Sequence, residues 1–237
     1  MSAGAARLDP TARAGILERV DRYYTGTVER HGPTAQGADW RSAESQSLRF
    51  DQLLRLLEGA GAPPAGTSFN DYGCGYGALL DHLRRAGWTG PYAGLDLSAR
   101  MVAEARAQHA GWPLAEFVEG ESLLPPADYT LASGIFNVRQ DVDVPTWHAY
   151  VVDTLARIRG VSRRGFAFNC LTAHADPERM RPDLYYADPV ALFEHCRYDE
   201  RGQLLNGNMA DYLVPMAAEM PDIEVGHTCS PTSDSEL

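Results

Sequence analysis

Cysteine is scarce in this chain and does not cluster. The four residues, Cys74, Cys170, Cys196 and Cys229, form no C-x-x-C pair and no Cys/His group at zinc spacing, so no structural metal is expected. Free thiols suit a reducing cytoplasm, the expected compartment. Positive charge is short as well: 21 basic residues face 32 acidic ones, a formal net charge of −11. A nucleic-acid surface needs a basic patch, and only small clusters exist, Arg163-Arg164 and Arg179 with Arg181, so neither nucleic acid nor a membrane surface is an expected partner. No stretch approaches the roughly 20 apolar residues of a membrane span. Met1 to Ala14 carries Arg7, Asp9 and Arg13 without an apolar core and does not read as a signal peptide. There is no internal repeat and no low-complexity tract.

What is present is a core-forming composition, 44% hydrophobic over 237 residues, which suits one domain with an extra subdomain. Residues 1–66 read as two helices: Thr11 to His31 with Ile16, Leu17, Val20, Tyr23 and Tyr24 on one side, then, after a loop, a helix running to Leu57 that Ser42 can cap, with Ser45 or Ser47 as later alternatives. From residue 67 onward, strands and helices alternate, as a parallel α/β sheet requires. The strands are expected at Thr67–Tyr72, Tyr92–Asp96, Ala115–Glu119, Tyr129–Gly134 and Gly165–Cys170. Helices are expected at Ala78–Ala86, at Ala99–His109 capped by Ser98, from Pro145 through Ile158, and at Val190–Cys196. Leu171 to Pro189 reads as irregular. Met209–Met220 reads as a further helix, Ile223–His227 as an edge strand, and Ser230–Leu237 as disordered.

The chain is organised around Asp71-Tyr72-Gly73-Cys74-Gly75-Tyr76-Gly77, a strand end, a glycine turn and a helix start. Glycine permits positive φ and close approach of a ligand to main chain, and a helix start offers unpaired N–H groups. Such a turn can hold a dinucleotide pyrophosphate, or it can simply let a helix pack on its strand. Here the spacing is G-x-G-x-G rather than G-x-G-x-x-G. A carboxylate at the strand end repels a pyrophosphate but attracts an ammonium or sulfonium, which favours S-adenosylmethionine over NAD.

Other candidates follow from the strand ends. Asp96 lies roughly 20 residues beyond the turn, where a doubly wound fold puts a carboxylate on a ribose diol; it can also cap the next helix. Leu97 and Met101 can flank an adenine or be core. In Glu119-Gly120-Glu121-Ser122, the residues Gly120, Glu121 and Ser122 offer an acceptor for the adenine amino group or form a solvated turn. Ser133, Gly134, Ile135, Phe136 and Asn137 end the fourth strand, beside the first in such a sheet, and face the ligand crevice. Phe136 can shield a sulfonium or pack in the core, and Asn137 can orient an acceptor.

The glycine motif, Gly94-Leu95-Asp96-Leu97-Ser98 and Ala132-Ser133-Gly134-Ile135-Phe136-Asn137 together resemble the class I S-adenosylmethionine-dependent methyltransferase family over roughly residues 67–170. The resemblance implies a Rossmann-like, doubly wound, mostly parallel sheet of the seven-stranded type, with a reversed strand beside the fifth; Leu204–His227 departs from that pattern. The segment from His31 through Trp40, Gln46 and Arg49 to Phe50 resembles a bacterial subgroup of small-molecule methyltransferases. That likeness makes 1–66 a helical lid on a 67–237 core. A guanidinium at Arg49, sharing a helix face with Gln46, can then pair with the methionine carboxylate; otherwise it is a surface arginine. Methyl transfer from a sulfonium needs positioning and exclusion of water, and sometimes a base. His174 is the first candidate base, then His31, with His148 also considered; each can equally be structural. Tyr24, Tyr185 and Tyr186 are candidate acceptor contacts beside Asn137. The expected partner is a small-molecule acceptor, methylated at oxygen or nitrogen, and the expected assembly a monomer or homodimer. The alternatives are a nicotinamide oxidoreductase and a silent binding protein.

Overall fold

The computed structural model describes residues 8–58, 65–122 and 124–197, and the backbone of 224–229. Helix α1 (Pro10–His31) starts where the Asp9 carboxylate accepts from the Ala12 N–H at 3.0 Å and proline occupies the first turn, and ends at Gly32. A single 3-10 turn, Gln36–Ala38, leads to α2 (Ala43–Glu58), whose first turn is capped by Ser42 Oγ accepting from the Ser45 N–H at 3.2 Å.

The alternating part follows as β1 (Phe69–Tyr72), α3 (Ala78–Arg85), β2 (Tyr92–Asp96), α4 (Ala99–Gln108), β3 (Ala115–Glu119), β4 (Ala127–Ala132), α5 (Val144–Gly160), β5 (Ser162–Thr172), β6 (Tyr186–Ala187), α6 (Pro189–Arg197) and β7 (Glu224–Cys229). The sheet order is β3-β2-β1-β4-β5-β6, all parallel. Strand β7 runs antiparallel on β5, Phe166 opposite Cys229 through Leu171 opposite Glu224. This is the strand expected at Ile223–His227, and it supplies the reversed strand of the family pattern, although Leu204–His227 as a whole matches that pattern poorly. Strand β4 ends earlier than expected because Gly134 takes φ +79° and turns the chain out of the sheet. The irregular stretch after β5 contains β6 and a 3-10 turn at Pro177–Arg179. The expected helix Met209–Met220 and the tail Ser230–Leu237 lie outside the described residues. Among the described residues, no helix is long and apolar enough to cross a membrane.

Side chains alternate across each strand and feed two cores. One face packs Tyr72, Leu95, Phe166 and Phe168 against α5, α6 and Ile16 and Val20 of α1. The other packs Phe69, Tyr92, Phe117 and Leu131 against α3, α4 and Phe50, Leu53 and Leu54 of α2. The two N-terminal helices thus insert into opposite cores, and both place residues, Val20 and Tyr24 from α1 and Gln46 and Arg49 from α2, beside the carboxyl ends of the strands.

Candidate active site

The glycine turn is pinned to β2. The N–H groups of Gly73 and Cys74 both donate to the Leu95 carbonyl, at 2.7 and 2.9 Å. Gly75 has φ +53°, and a Cβ there would meet only Met101 Sδ at 3.9 Å; glycine serves the backbone shape and leaves main chain bare toward the cavity. Asp96 secures this shape: Oδ2 accepts from the Gly75 N–H at 2.8 Å and Oδ1 from the Ser98 N–H at 2.9 Å. Ser98 itself caps α4. Burial pushes the Asp96 carboxyl up to about 6, against the pull of those two N–H groups. The Leu97 N–H also favours the anion, so of the roughly four acceptor positions of a carboxylate one remains for a ligand.

Above the turn lies a cavity of about 770 Å3 lined by these strand ends and by α1, the 38–50 segment and the loop after β5, a volume in the range of small-molecule sites, roughly 300–1,000 Å3. Trp40 lies across Gly134, where a Cβ would come within 2.9 Å of its Cζ2. Gln46 Oε1 accepts from the Tyr76 hydroxyl at 2.9 Å, and Arg49 is buried in the wall with 8% exposure. From α1, Thr25 Oγ1 and Ser98 Oγ meet at 2.6 Å, and the Tyr24 hydroxyl donates to the Gly134 carbonyl at 3.4 Å.

Of the residues singled out in the sequence, Asp71, Gly73, Cys74, Gly75, Tyr76, Asp96, Leu97, Met101, Gly120, Ser133, Gly134, Ile135, Asn137, Trp40, Gln46, Arg49, Tyr24 and Tyr186 line this cavity. Others do not. Gly77 sits beneath the turn, where a Cβ would meet His109 Nε2 at 2.6 Å. Phe136 is wholly buried, edge-on to Phe168 at 5.7 Å, so it packs the core rather than shielding a ligand. Glu121 turns to Arg13 at 2.9 Å, and Ser122 is exposed. Tyr185 is buried with its hydroxyl on His148 Nδ1 at 2.7 Å. His31 and His174 stand exposed outside the lining, because α1 carries His31 past the roof and the chain turns outward after Thr172. Asn137 lines the cavity, yet its Oδ1 is engaged by the Leu171 N–H at 3.1 Å. Lining residues that the pattern did not reveal include Asp21, Asp39, Tyr150, Arg179 and Arg181.

This architecture can be compared with known proteins. A family model described as a methyltransferase domain matches residues 70–165. A putative methyltransferase of Mycobacterium tuberculosis is 48% identical over 141 residues, spanning 59% of this chain and 85% of that protein. The chain belongs to the class I S-adenosylmethionine-dependent methyltransferase family. Its fold is shared by the crystal structure of magnesium protoporphyrin IX methyltransferase from Synechocystis PCC 6803 with bound S-adenosylhomocysteine (TM-score 0.55, 13% identity, 79% of this chain and 84% of that one). It is also shared by mycolic acid cyclopropane synthase (TM-score 0.51, 15% identity, 78% and 73%). Family membership removes the nicotinamide oxidoreductase alternative. In methyltransferase terms, the bare Gly75 main chain and the Asp96 carboxyl fit the needs of an adenosyl group, a close-approach surface and a diol acceptor.

Proposed function

We propose that this methyltransferase transfers a methyl group in line to the oxygen or nitrogen of a small molecule held beneath α1 and the 38–50 segment. The observation that carries the reading is the cavity itself: one roofed space joins the glycine turn and Asp96 to a compartment formed by Tyr24, Ile135, Asn137, Leu184 and Tyr186. S-adenosylmethionine supplies the activated methyl group when bound. Asp96 accepts from a ribose hydroxyl, Leu97 and Met101 flank the adenine near Gly120, and Arg49 pairs with the carboxylate. Trp40 and Tyr24, both in contact with Gly134, close the roof and keep water from the reacting centre.

His31 and His174 are not proposed as bases, since both lie off the cavity wall. The acceptor is positioned by the chain, and Asp21 and Asp39, two further carboxylates of the cavity lining, are the proposed sites to receive its proton. The net charge of −11 argues against a nucleic-acid acceptor. The test is turnover of S-adenosylmethionine across matched amines, phenols and carboxylic acids. Methylated product in one class supports the reading. Tight binding of the methyl donor with no product in any class supports a silent binding protein instead.

A further inference from the structure

One carboxyl of the cavity wall is held by the sheet itself. Asp71, in β1, is 3% exposed and lines the cavity. Its Oδ2 accepts from the Tyr92 hydroxyl at 2.5 Å. Tyr92 opens β2, two residues before Gly94, which stands in register with Asp71, so Tyr92 and Gly94 share a face of the sheet. Cys74 and Phe117 close over Gly94, where a Cβ would lie 2.8 Å from Cys74 Sγ and 2.9 Å from Phe117 Cδ1. The Tyr92 ring packs on Phe117 at 5.7 Å and is itself 2% exposed. The phenol is therefore fixed, and its proton is directed at one carboxylate oxygen, leaving the other for the cavity.

We propose that Tyr92 is a positioning residue of the cofactor site, whose hydroxyl holds the Asp71 carboxyl in the ionised, acceptor-only form that a cationic ligand requires. This rests on the function proposed above. A donor hydrogen bond favours the anion. Burial opposes it and is the larger effect, pushing Asp71 up to about 7, with the charge of Asp96 adding to the rise. The other groups facing Asp71 are uncharged: burial pushes the Cys74 thiol well up, and burial and the Asp71 charge do the same to Tyr92. The ammonium and sulfonium of the methyl donor bring the positive charge. Binding a cation selects ionised Asp71, so affinity falls as pH drops through about 7. Without the Tyr92 hydroxyl, the fall begins at a higher pH.

The experiment is calorimetric titration of the full chain with S-adenosylhomocysteine, which carries the ammonium, between pH 5.5 and 8.5. It compares the wild type, Tyr92→Phe, Asp71→Asn and the double variant, with circular dichroism to check folding. The expected result for Tyr92→Phe is a midpoint raised by about one pH unit, with affinity about fivefold weaker near pH 7 and close to wild type at pH 8.5. Asp71→Asn removes the inflection near 7, keeps the lower one due to Asp96, and makes the second substitution silent. A uniform loss at every pH, an unchanged midpoint, or a Tyr92→Phe effect that persists in the Asp71→Asn background overturns the inference while the proposed function stands. An inflection near 7 that survives in Asp71→Asn overturns it without recourse to Tyr92→Phe. Failure of the wild type to bind at any pH overturns both.

Discussion

Arg13 of α1 and Glu121, two residues beyond β3, form an ion pair at 2.9 Å although 108 residues separate them. The same guanidinium reaches Asp153 at 2.8 Å and lies over the Tyr150 ring at 5.4 Å. The Arg13 side chain is 7% exposed and that of Glu121 47%. Burial lowers the affinity of this guanidinium for its proton, and the partners Glu121, Tyr150, Tyr72 and Asp153 more than restore it. The first prediction follows. Arg13→Ala removes packing and a charged hydrogen-bond hub, and destabilises the fold by about 1.5–3 kcal/mol, whereas Glu121→Gln costs under ~1 kcal/mol because Glu121 is itself half-exposed and the buried Arg13 stays paired to Asp153. Urea unfolding of both variants measures the difference.

Two buried carboxyls of the site oppose folding. Asp71 is raised from 3.8 to about 7 and Asp96 from 3.8 to about 6, burial being the main cause in both. The folded state therefore holds protons that the unfolded chain has released. For these groups, stability is greatest at low pH and is lost as pH rises from about 4 to about 7. Asp71→Asn keeps an acceptor for Tyr92 and is expected to stabilise the protein by ~1–3 kcal/mol at pH 8, with the gain shrinking as pH falls toward 5. Unfolding at the two pH values checks this; a gain independent of pH contradicts it.

Trp40 and Gly134 form the roof contact. Gly134 has φ +79°, and a Cβ would stand 2.9 Å from the Trp40 ring. Gly134→Ala is expected to displace the indole, shift tryptophan emission to the red, and weaken S-adenosylhomocysteine binding about tenfold, with left-handed strain adding ~1 kcal/mol of instability. Emission spectra and calorimetry on the same sample read both effects.

Arg49 is the buried guanidinium of the wall, 8% exposed. Arg49→Ala is expected to weaken cofactor binding by about 1.5–3 kcal/mol, the scale of a charged hydrogen bond, and Arg49→Lys to restore only part of it, since an ammonium lacks the planar fork. An unchanged dissociation constant in both variants removes Arg49 from the site.

Much of the fold is legible because it is local. The bounds of β2 and β3 follow from their apolar runs and flanking turns, and Ser98 and Ser42 mark helix starts by the oxygen each offers to a free N–H, whereas the caps Asp9 and Asp143 emerge only in the structure. The glycine turn and Asp96 are legible for the same reason. What pattern cannot show is which long side chain meets which. Glu121 looks like an adenine contact until Arg13 arrives from α1. Phe136 reads equally as a shield for a sulfonium or as core until it is seen packed edge-on to Phe168, with the Trp147 indole N–H on its carbonyl. Strand order puts His174 on the ligand edge, but after β5 its N–H turns back onto Thr172 Oγ1 at 3.2 Å and the ring faces solvent. Tyr92, 21 residues from Asp71, carries no sign of its hydrogen bond in the local sequence.

The central claim is that the glycine turn and Asp96 form an adenosyl-binding site. Calorimetric titration of the wild type and of Asp96→Ala with S-adenosylhomocysteine, beside NAD, tests it most directly. Saturable binding of S-adenosylhomocysteine to the wild type is predicted, weakened at least about tenfold in Asp96→Ala, with no heat from NAD. Equal affinity in the two proteins, or binding of NAD in place of S-adenosylhomocysteine, contradicts it.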